Sequence, residues 1–388
     1  MALTIWLIPY LIFKVGLDNF GIYTFAMALI LFLQNVLNYG FNLATVREIA
    51  KNKNDKVKLN QIFSEVISVK LFLLVFIFSF LIILIKVIPT YSIHKNLYLF
   101  SSFILLGDLF SLSWFFLGME QMKFKAIINL ISTMFYVVLV LVLVENESDY
   151  YFIPFAEGLA LLIVSLISFI YVIKQYQIQF KFIPFSKVLT YLMVNFNGFI
   201  NLLLPSTFSV ISVFLVGVFG LPSQVSMMQV GVKLSNAFTT VNAILTQVFY
   251  PMVNRNKDLM FSSRMVLLVI GGILSLGMYF SSDLIINTWL KGETAENLGA
   301  MVGIVNILSP LPFLVAVISS YGINGLLTFF KDSLFSYITV IATFALVSSA
   351  WLLIPKHEFY GGAMALLIGR MVYALLTFVS FKKNSKWN

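Results

Sequence analysis

Residues 66–88 read VISVKLFLLVFIFSFLIILIKVI, with Lys70 and Lys86 the only charges in the run. At 1.5 Å per residue such a helix spans about 30 Å, the thickness of a bilayer's hydrocarbon core. A membrane β-strand would be about 10 residues of alternating polarity, and nothing here alternates, so a barrel is excluded. The same texture recurs along the chain. Of its 388 residues 60% are hydrophobic and 11% charged, with a mean hydropathy of +0.97. Soluble domains carry about 25% charged residues. A soluble domain, a disordered chain, a coiled coil and a disulfide scaffold are all excluded. The expected class is an all-α polytopic membrane protein.

Apolar runs predict twelve spans, at about 1–13, 22–45, 66–88, 96–117, 126–144, 153–173, 191–218, 225–249, 263–281, 298–321, 333–354 and 361–381. The first rises only about 20 Å and is too short to cross alone. The first run has no basic n-region and no small-residue cleavage site, so no removable signal peptide is expected. A division near residue 186 gives six spans in 1–185 and six in 186–388, the pattern of parallel repeats. The second and eighth spans end alike, in Asn52-Lys53-Asn54-Asp55 and Asn254-Arg255-Asn256-Lys257-Asp258.

Loop charges alternate. Arg47 to Lys58, Lys123 and Lys125, Lys174 to Lys187, Arg255 to Arg264, Lys331 and Lys382 to Lys386 hold most of the Lys and Arg. The opposite side has Lys14, Lys86, Lys95, Lys291 and Lys356, with Glu145, Glu147, Asp149, Glu293 and Glu296. Positive loops stay inside, so both termini are expected in the cytoplasm. No connection exceeds about 20 residues, which leaves no room for a soluble catalytic domain. Residues 283–290, ending at Trp289, read either as a helix on the membrane surface or as a plain loop.

Catalytic and metal motifs are missing. There is no cysteine, and His94 and His357 fall in polar loops where they read as solvated. No phosphate-binding loop, Ser/His/Asp set or H-E-x-x-H motif occurs, so no cofactor, metal or catalytic residue is expected. The net charge of +9 reflects the inner loops and carries no expectation of nucleic acid.

The polar residues within spans carry the functional reading. Asn35, Asn38 and Asn42 fall at i, i+3 and i+7, on one helical face. Gln229, Lys233, Asn236 and Thr240 form a second such stripe. Amides avoid lipid, so the stripes either line a hydrated cavity or hydrogen-bond between helices. Asp108, Lys233 and Arg370 lie well inside spans, where charge is costly and marks function or an ion pair. Lys233 and Arg370 have no carboxylate nearby in sequence and suit an anion such as phosphate; Asp108 is a candidate partner for either. Lys70 and Glu157 read as snorkelling to the interface. Pro9, Pro205, Pro310 and Pro312 are candidate bending points, and Gly271-Gly272 and Gly361-Gly362 read as packing or bends.

Four blocks resemble a known family. Val15-Gly16-Leu17-Asp18-Asn19-Phe20-Gly21-Ile22-Tyr23 is similar to the L-G-x-x-x-[FY]-G-x-[FY] opening of Wzx-type polysaccharide (O-antigen) flippases. Tyr39 to Ala50, YGFNLATVREIA, resembles their Y-G-F-N-x-x-x-x-R-x-I-A signature, and Trp114 to Lys123, WFFLGMEQMK, their W-F-F-Q-G-x-E-x-M-K. Gly322-Ile323-Asn324-Gly325-Leu326-Leu327 matches a loop before the eleventh helix. Val15 and Leu117 depart from the usual Leu and Gln.

The resemblance implies the MOP exporter superfamily: two six-helix lobes around a central cavity, MATE-like, and no enzyme activity. It implies an inner-membrane flippase moving an undecaprenyl-diphosphate-linked oligosaccharide from the cytoplasmic to the periplasmic leaflet by alternating access. Arg47 then matches the signature arginine, to contact the diphosphate or hold the cytoplasmic gate. Asp108 is the candidate for coupling to a proton or sodium gradient. A polysaccharide polymerase and a chain-length regulator are the candidate protein partners. Two rivals stand beside this reading. A multidrug antiporter of the same superfamily would favour acidic residues in the cavity. An O-antigen polymerase would carry a large external loop with catalytic arginines, which is lacking here.

Overall fold

The computed structural model describes residues 2–41, 44–329 and 332–384. Among them there are helices and turns but no strand. In chain order the helices are α1 (Ala2–Asn38), α2 (Ala44–Lys51), α3 (Lys56–Val87), α4 (Pro89–Ile93), α5 (Lys95–Phe110), α6 (Ser113–Gly118), α7 (Met122–Leu143), α8 (Phe152–Tyr176), α9 (Phe185–Val194), α10 (Phe196–Phe219), α11 (Pro222–Arg255), α12 (Leu259–Trp289), α13 (Ala295–Leu308), α14 (Leu311–Val317) and α15 (Asp332–Asn384). A π-helical turn, Ile318–Leu326, follows α14.

Among the described residues nine helical segments are long and apolar enough to cross a membrane. Two of these bend: α1 at Gly16 (φ 77, ψ 162), and α15 at Glu358 (φ 50, ψ −131), which divides α15 into two runs each long enough to cross. The 34-residue α11 adds one more, too polar to register as a membrane helix on hydropathy alone. Eleven of the twelve expected runs are thus present at crossing length among the described residues, and the first, too short to cross alone, is the part of α1 before Gly16. The backbone at Gly16 is one that side-chain-bearing residues rarely adopt. It ends the first helical run after about 20 Å, as the sequence predicted.

Several boundaries differ from expectation, each for a local reason. The second span stops at Asn38, because Tyr39 (φ 32) and Gly40 (φ 78) leave the right-handed helical region. Arg47 then sits on the separate α2. The span expected over 96–117 breaks at Ser111-Leu112 into α5 and α6. The span expected over 298–321 breaks at Ser309-Pro310, where proline cannot continue the hydrogen-bond ladder. Residues 283–290 are neither a surface helix nor a loop, since all but Leu290 continue α12. At 31 residues α12 rises about 46 Å, enough to clear the core and carry its own end to the interface.

The chain divides into two compact units. One holds Lys14–Asn19 and Ala26–Leu203; the other holds Met1–Phe13, Phe20–Phe25 and Leu204–Asn388. In the first unit α5 packs closely on α8. A Cβ on Gly107 would come within 2.8 Å of the Leu162 backbone nitrogen, and one on Gly158 within 2.7 Å of the Ile104 nitrogen. Small residues allow this because helices in lipid associate by packing and hydrogen bonds, with little hydrophobic drive.

The loops of this unit segregate to two ends. At one, Lys53 pairs with Glu120 at 2.7 Å and Lys56 donates to Gln177 at 2.9 Å; the Gln179 amide donates to Asn60 at 3.0 Å. At the other, Asn19 donates to the Glu147 carbonyl at 3.1 Å, and His94 lies 3.1 Å from the Tyr150 hydroxyl. These are the two groups of loops that the charge pattern had assigned to opposite sides. His94 is half-buried and hydrogen-bonded, not solvated as expected, and burial lowers its pKa. His357 is exposed.

Candidate functional site

In the N-terminal unit the buried charge is closed on itself. Lys70 is 0% exposed, near the middle of α3. It does not snorkel, since about 20 Å of helix extends on either side, beyond its reach. Its ammonium donates to the Asp108 carboxylate at 3.2 Å and to the Asp108 backbone carbonyl at 2.8 Å. That carbonyl lies in the last turn of α5, where it also accepts from the Ser111 backbone N–H at 3.1 Å and where a helix C-terminus favours a cation. Gln34 of α1 completes the set, donating to the other carboxylate oxygen at 3.0 Å. The partner of Asp108 is thus Lys70, not Lys233 or Arg370. Sequence reading passed over Gln34 and took Lys70 for a lysine that snorkels to the interface. The available signal was a second amide beside Asn35 and a lysine deep in an apolar run.

Asn35 and Asn38 are half-buried and donate backwards along α1, to Leu31 at 2.9 Å and Gln34 at 3.0 Å. Asn42 lies outside the described residues. Arg47 is exposed on α2, with no hydrogen bond or ion pair among the described residues. Its neighbour Glu48 has a raised pKa, first through burial and then through the nearby Glu65 charge, with Lys58 opposing.

In the C-terminal unit neither Lys233 nor Arg370 has a carboxylate partner among the described residues. Gln229, Lys233, Asn236 and Thr240 form a half-buried strip along α11, bordered by buried Met228, Val232, Leu234 and Ser235. Lys233 has no hydrogen bond or ion pair among the described residues. The Thr239 and Thr240 hydroxyls donate to the Asn236 carbonyl at 3.2 and 2.7 Å. Arg370, on the second half of α15, places its guanidinium carbon 4.7 Å from the centre of the Phe208 ring. It reaches the Pro205 carbonyl only at 3.5 Å. Beside it Tyr373 stacks on Phe208 and accepts from Thr339 at 3.0 Å.

One further polar group escaped sequence reading. Asn324, in the π-helical turn, is 1% exposed, and neither side-chain amide atom has a partner. Single π turns often accompany functional positions. Its only sequence signal was the Gly-Ile-Asn-Gly block. No cluster of metal-ligating side chains occurs among the described residues. The arrangement offers cations, one of them seated on a ring face, to which an anion can bind.

Comparison with known proteins places this geometry. The family described as "Polysaccharide biosynthesis protein" matches residues 2–257. A protein of Escherichia coli (strain K12) named "Putative O-antigen transporter" is 28% identical, covering 97% of this chain and 92% of its own. One of Shigella dysenteriae with the same name is 22% identical, covering 97% and 96%. Among solved structures, the lipid II flippase MurJ in its inward closed conformation superposes with a TM-score of 0.77 at 16% identity, covering 97% of this chain and 85% of that one. An inward-facing multidrug resistance MATE family transporter of the MOP superfamily gives 0.68 at 13% identity, covering 98% and 94%. The fold is therefore MOP-like, and the protein is a multi-pass membrane protein whose named relatives are transporters.

Proposed function

Because the chain belongs to the polysaccharide biosynthesis protein family, we propose that it flips an undecaprenyl-diphosphate-linked oligosaccharide across the bacterial inner membrane. Direction is from the cytoplasmic to the periplasmic leaflet, by alternating access. The observation that carries the reading is the state of the cations in the C-terminal unit. Lys233 and Arg370 sit within membrane-crossing helices, and neither has a carboxylate partner among the described residues. A charge held in that way is costly unless water or an anionic ligand reaches it. The diphosphate is such a ligand. Guanidinium and ammonium groups complement phosphate oxygens in different ways, Arg as a planar fork and Lys as a point charge.

In this reading the sugar passes along the amide stripes of α1 and α11, and the lipid tail stays in the bilayer. Arg47 meets the diphosphate on the cytoplasmic side. Both termini are cytoplasmic, on the loop charges. Coupling to a proton or sodium gradient through Asp108 requires its bond to Lys70 to open. A polymerase and its chain-length regulator would take the product. A multidrug antiporter is the weaker alternative, since the buried carboxylate that would bind a cationic drug is already occupied by Lys70.

The test is complementation of a flippase-deficient strain with Lys233→Ala and Arg370→Ala. Surface polysaccharide is expected to fall at least tenfold at unchanged protein level. Full polysaccharide from the double variant would refute the cation role. Orientation is tested by single cysteines placed at Lys14 and Lys383, in a chain that has none of its own. Only the first should react with an impermeant maleimide on whole cells whose outer membrane has been permeabilised.

A further inference from the structure

The C-terminal unit has an apolar groove of about 630 Å³ between α12, α14 with its π-helical turn, and the second half of α15. Leu268, Val317, Tyr321, Ile368, Leu375 and Phe378 are among its lining residues. Leu375 is 62% exposed and Phe378 39%, so the groove opens at the surface of the unit. From Ile368 to Phe378 it follows α15 for about 15 Å.

One end of the groove is not apolar. Arg264 is the sixth residue of α12, about 8 Å along the helix, which is interfacial depth. Its guanidinium carbon lies 4.6 Å from the ring centre of Tyr321 and 4.7 Å from that of Phe381. Tyr321 therefore belongs both to the groove wall and to the cation's seat. Rings supply no hydrogen-bond acceptor in the plane of a guanidinium. Arg264 has no hydrogen-bond or carboxylate partner among the described residues, and its Nε is buried and unpaired. The last turn of α15, immediately beyond Phe381, adds Lys382 and Lys383, both exposed.

We propose that this groove binds an anionic glycerophospholipid, with an acyl chain along Ile368–Phe378 and its phosphate against the Arg264 guanidinium. A phosphodiester oxygen satisfies the unpaired N–H donors, and the apolar channel continues from it in the direction that an acyl chain takes. Basic pockets between membrane helices on the cytoplasmic side select anionic headgroups in this way. A zwitterionic lipid offers the same phosphate but adds a choline cation beside Arg264, Lys382 and Lys383, and is disfavoured by that like charge. The proposal requires membrane embedding only and stands apart from the transported substrate.

The test is native mass spectrometry of the full-length protein in detergent, titrated with palmitoyl-oleoyl phosphatidylglycerol and with the matching phosphatidylcholine. Phosphatidylglycerol is expected to bind at least tenfold more tightly. Arg264→Gln should abolish that preference, and Leu375→Trp, which fills an exposed part of the wall, should weaken both lipids. Arg255→Gln, at an exposed cation in the last turn of α11, should change neither. If Arg264→Gln does not fold, Arg264→Lys, which keeps the charge without the planar fork, should lose most of the preference. Equal affinity for the two lipids, or full preference in Arg264→Gln or Arg264→Lys, overturns the proposal. So does displacement of the lipid by millimolar inorganic phosphate alone, which would mark a simple anion site.

Discussion

The two units handle buried positive charge in opposite ways. In the N-terminal unit Lys70 is fully enclosed and bonded to the carboxylate and the carbonyl of Asp108, with Gln34 filling the other carboxylate oxygen. In the C-terminal unit Arg370 and Arg264 rest on aromatic rings, and Lys233 has no polar partner among the described residues. A buried ion pair cancels its own field and leaves little for a ligand. Ring faces hold a cation with about 0.5–2 kcal/mol and do not neutralise it. The first unit thus spends its charge on structure, whereas the second keeps its charge available to anions.

The largest expected effect tests the closed pair. Lys70→Met leaves Asp108 buried without a counter-ion and should cost about 3–5 kcal/mol, read as a large drop in melting temperature in detergent. Adding Asp108→Leu should restore much of it, because removing both charges removes the desolvation penalty too. A Lys70→Met protein that melts like the wild type would break the contrast between the units. Next come the open cations. Arg370→Ala should lower transport at least tenfold while changing stability by only about 1 kcal/mol, the value of a ring contact. If it unfolds the protein as severely as Lys70→Met, Arg370 is structural. Arg47→Ala removes an exposed cation and should shift stability by less than about 0.5 kcal/mol. Surface polysaccharide should nonetheless fall severalfold if Arg47 receives the diphosphate.

The smallest effect concerns His94. Burial holds its pKa below the ordinary 6.5, so the folded state favours the neutral ring. The unfolded chain takes up the proton first, and stability is lost as pH falls through the unfolded value. Between pH 7.5 and 5.5 the wild-type melting temperature should therefore drop more than that of His94→Gln. Parallel curves for the two would show that burial does not hold the His94 ring neutral in the folded state.

Much of this was legible in the residues. The continuous apolar runs located the membrane helices, and loop charges sorted the connections into two ends that the N-terminal unit reproduces. What failed did so where tertiary contacts decide. Helical spacing put Asn35, Asn38 and Asn42 on one face, but the spacing argument assumes that the helix continues, and Tyr39 and Gly40 end it. Lys70 looked like an interfacial lysine because hydropathy has no term for a partner 38 residues away. The stretch before Trp289 looked separable because its polar residues resemble a loop, while the helix carrying them simply extends past the membrane.

The sequence by itself determined that this chain is helical and crosses the membrane many times. Those are properties of composition and period, fixed by the cost of placing backbone and charge in hydrocarbon. Only the tertiary structure decided which buried charges are spent and which are free. The worth of a charge in a low dielectric depends on what lies within a few ångströms of it, and the chain brings those neighbours from far away in sequence.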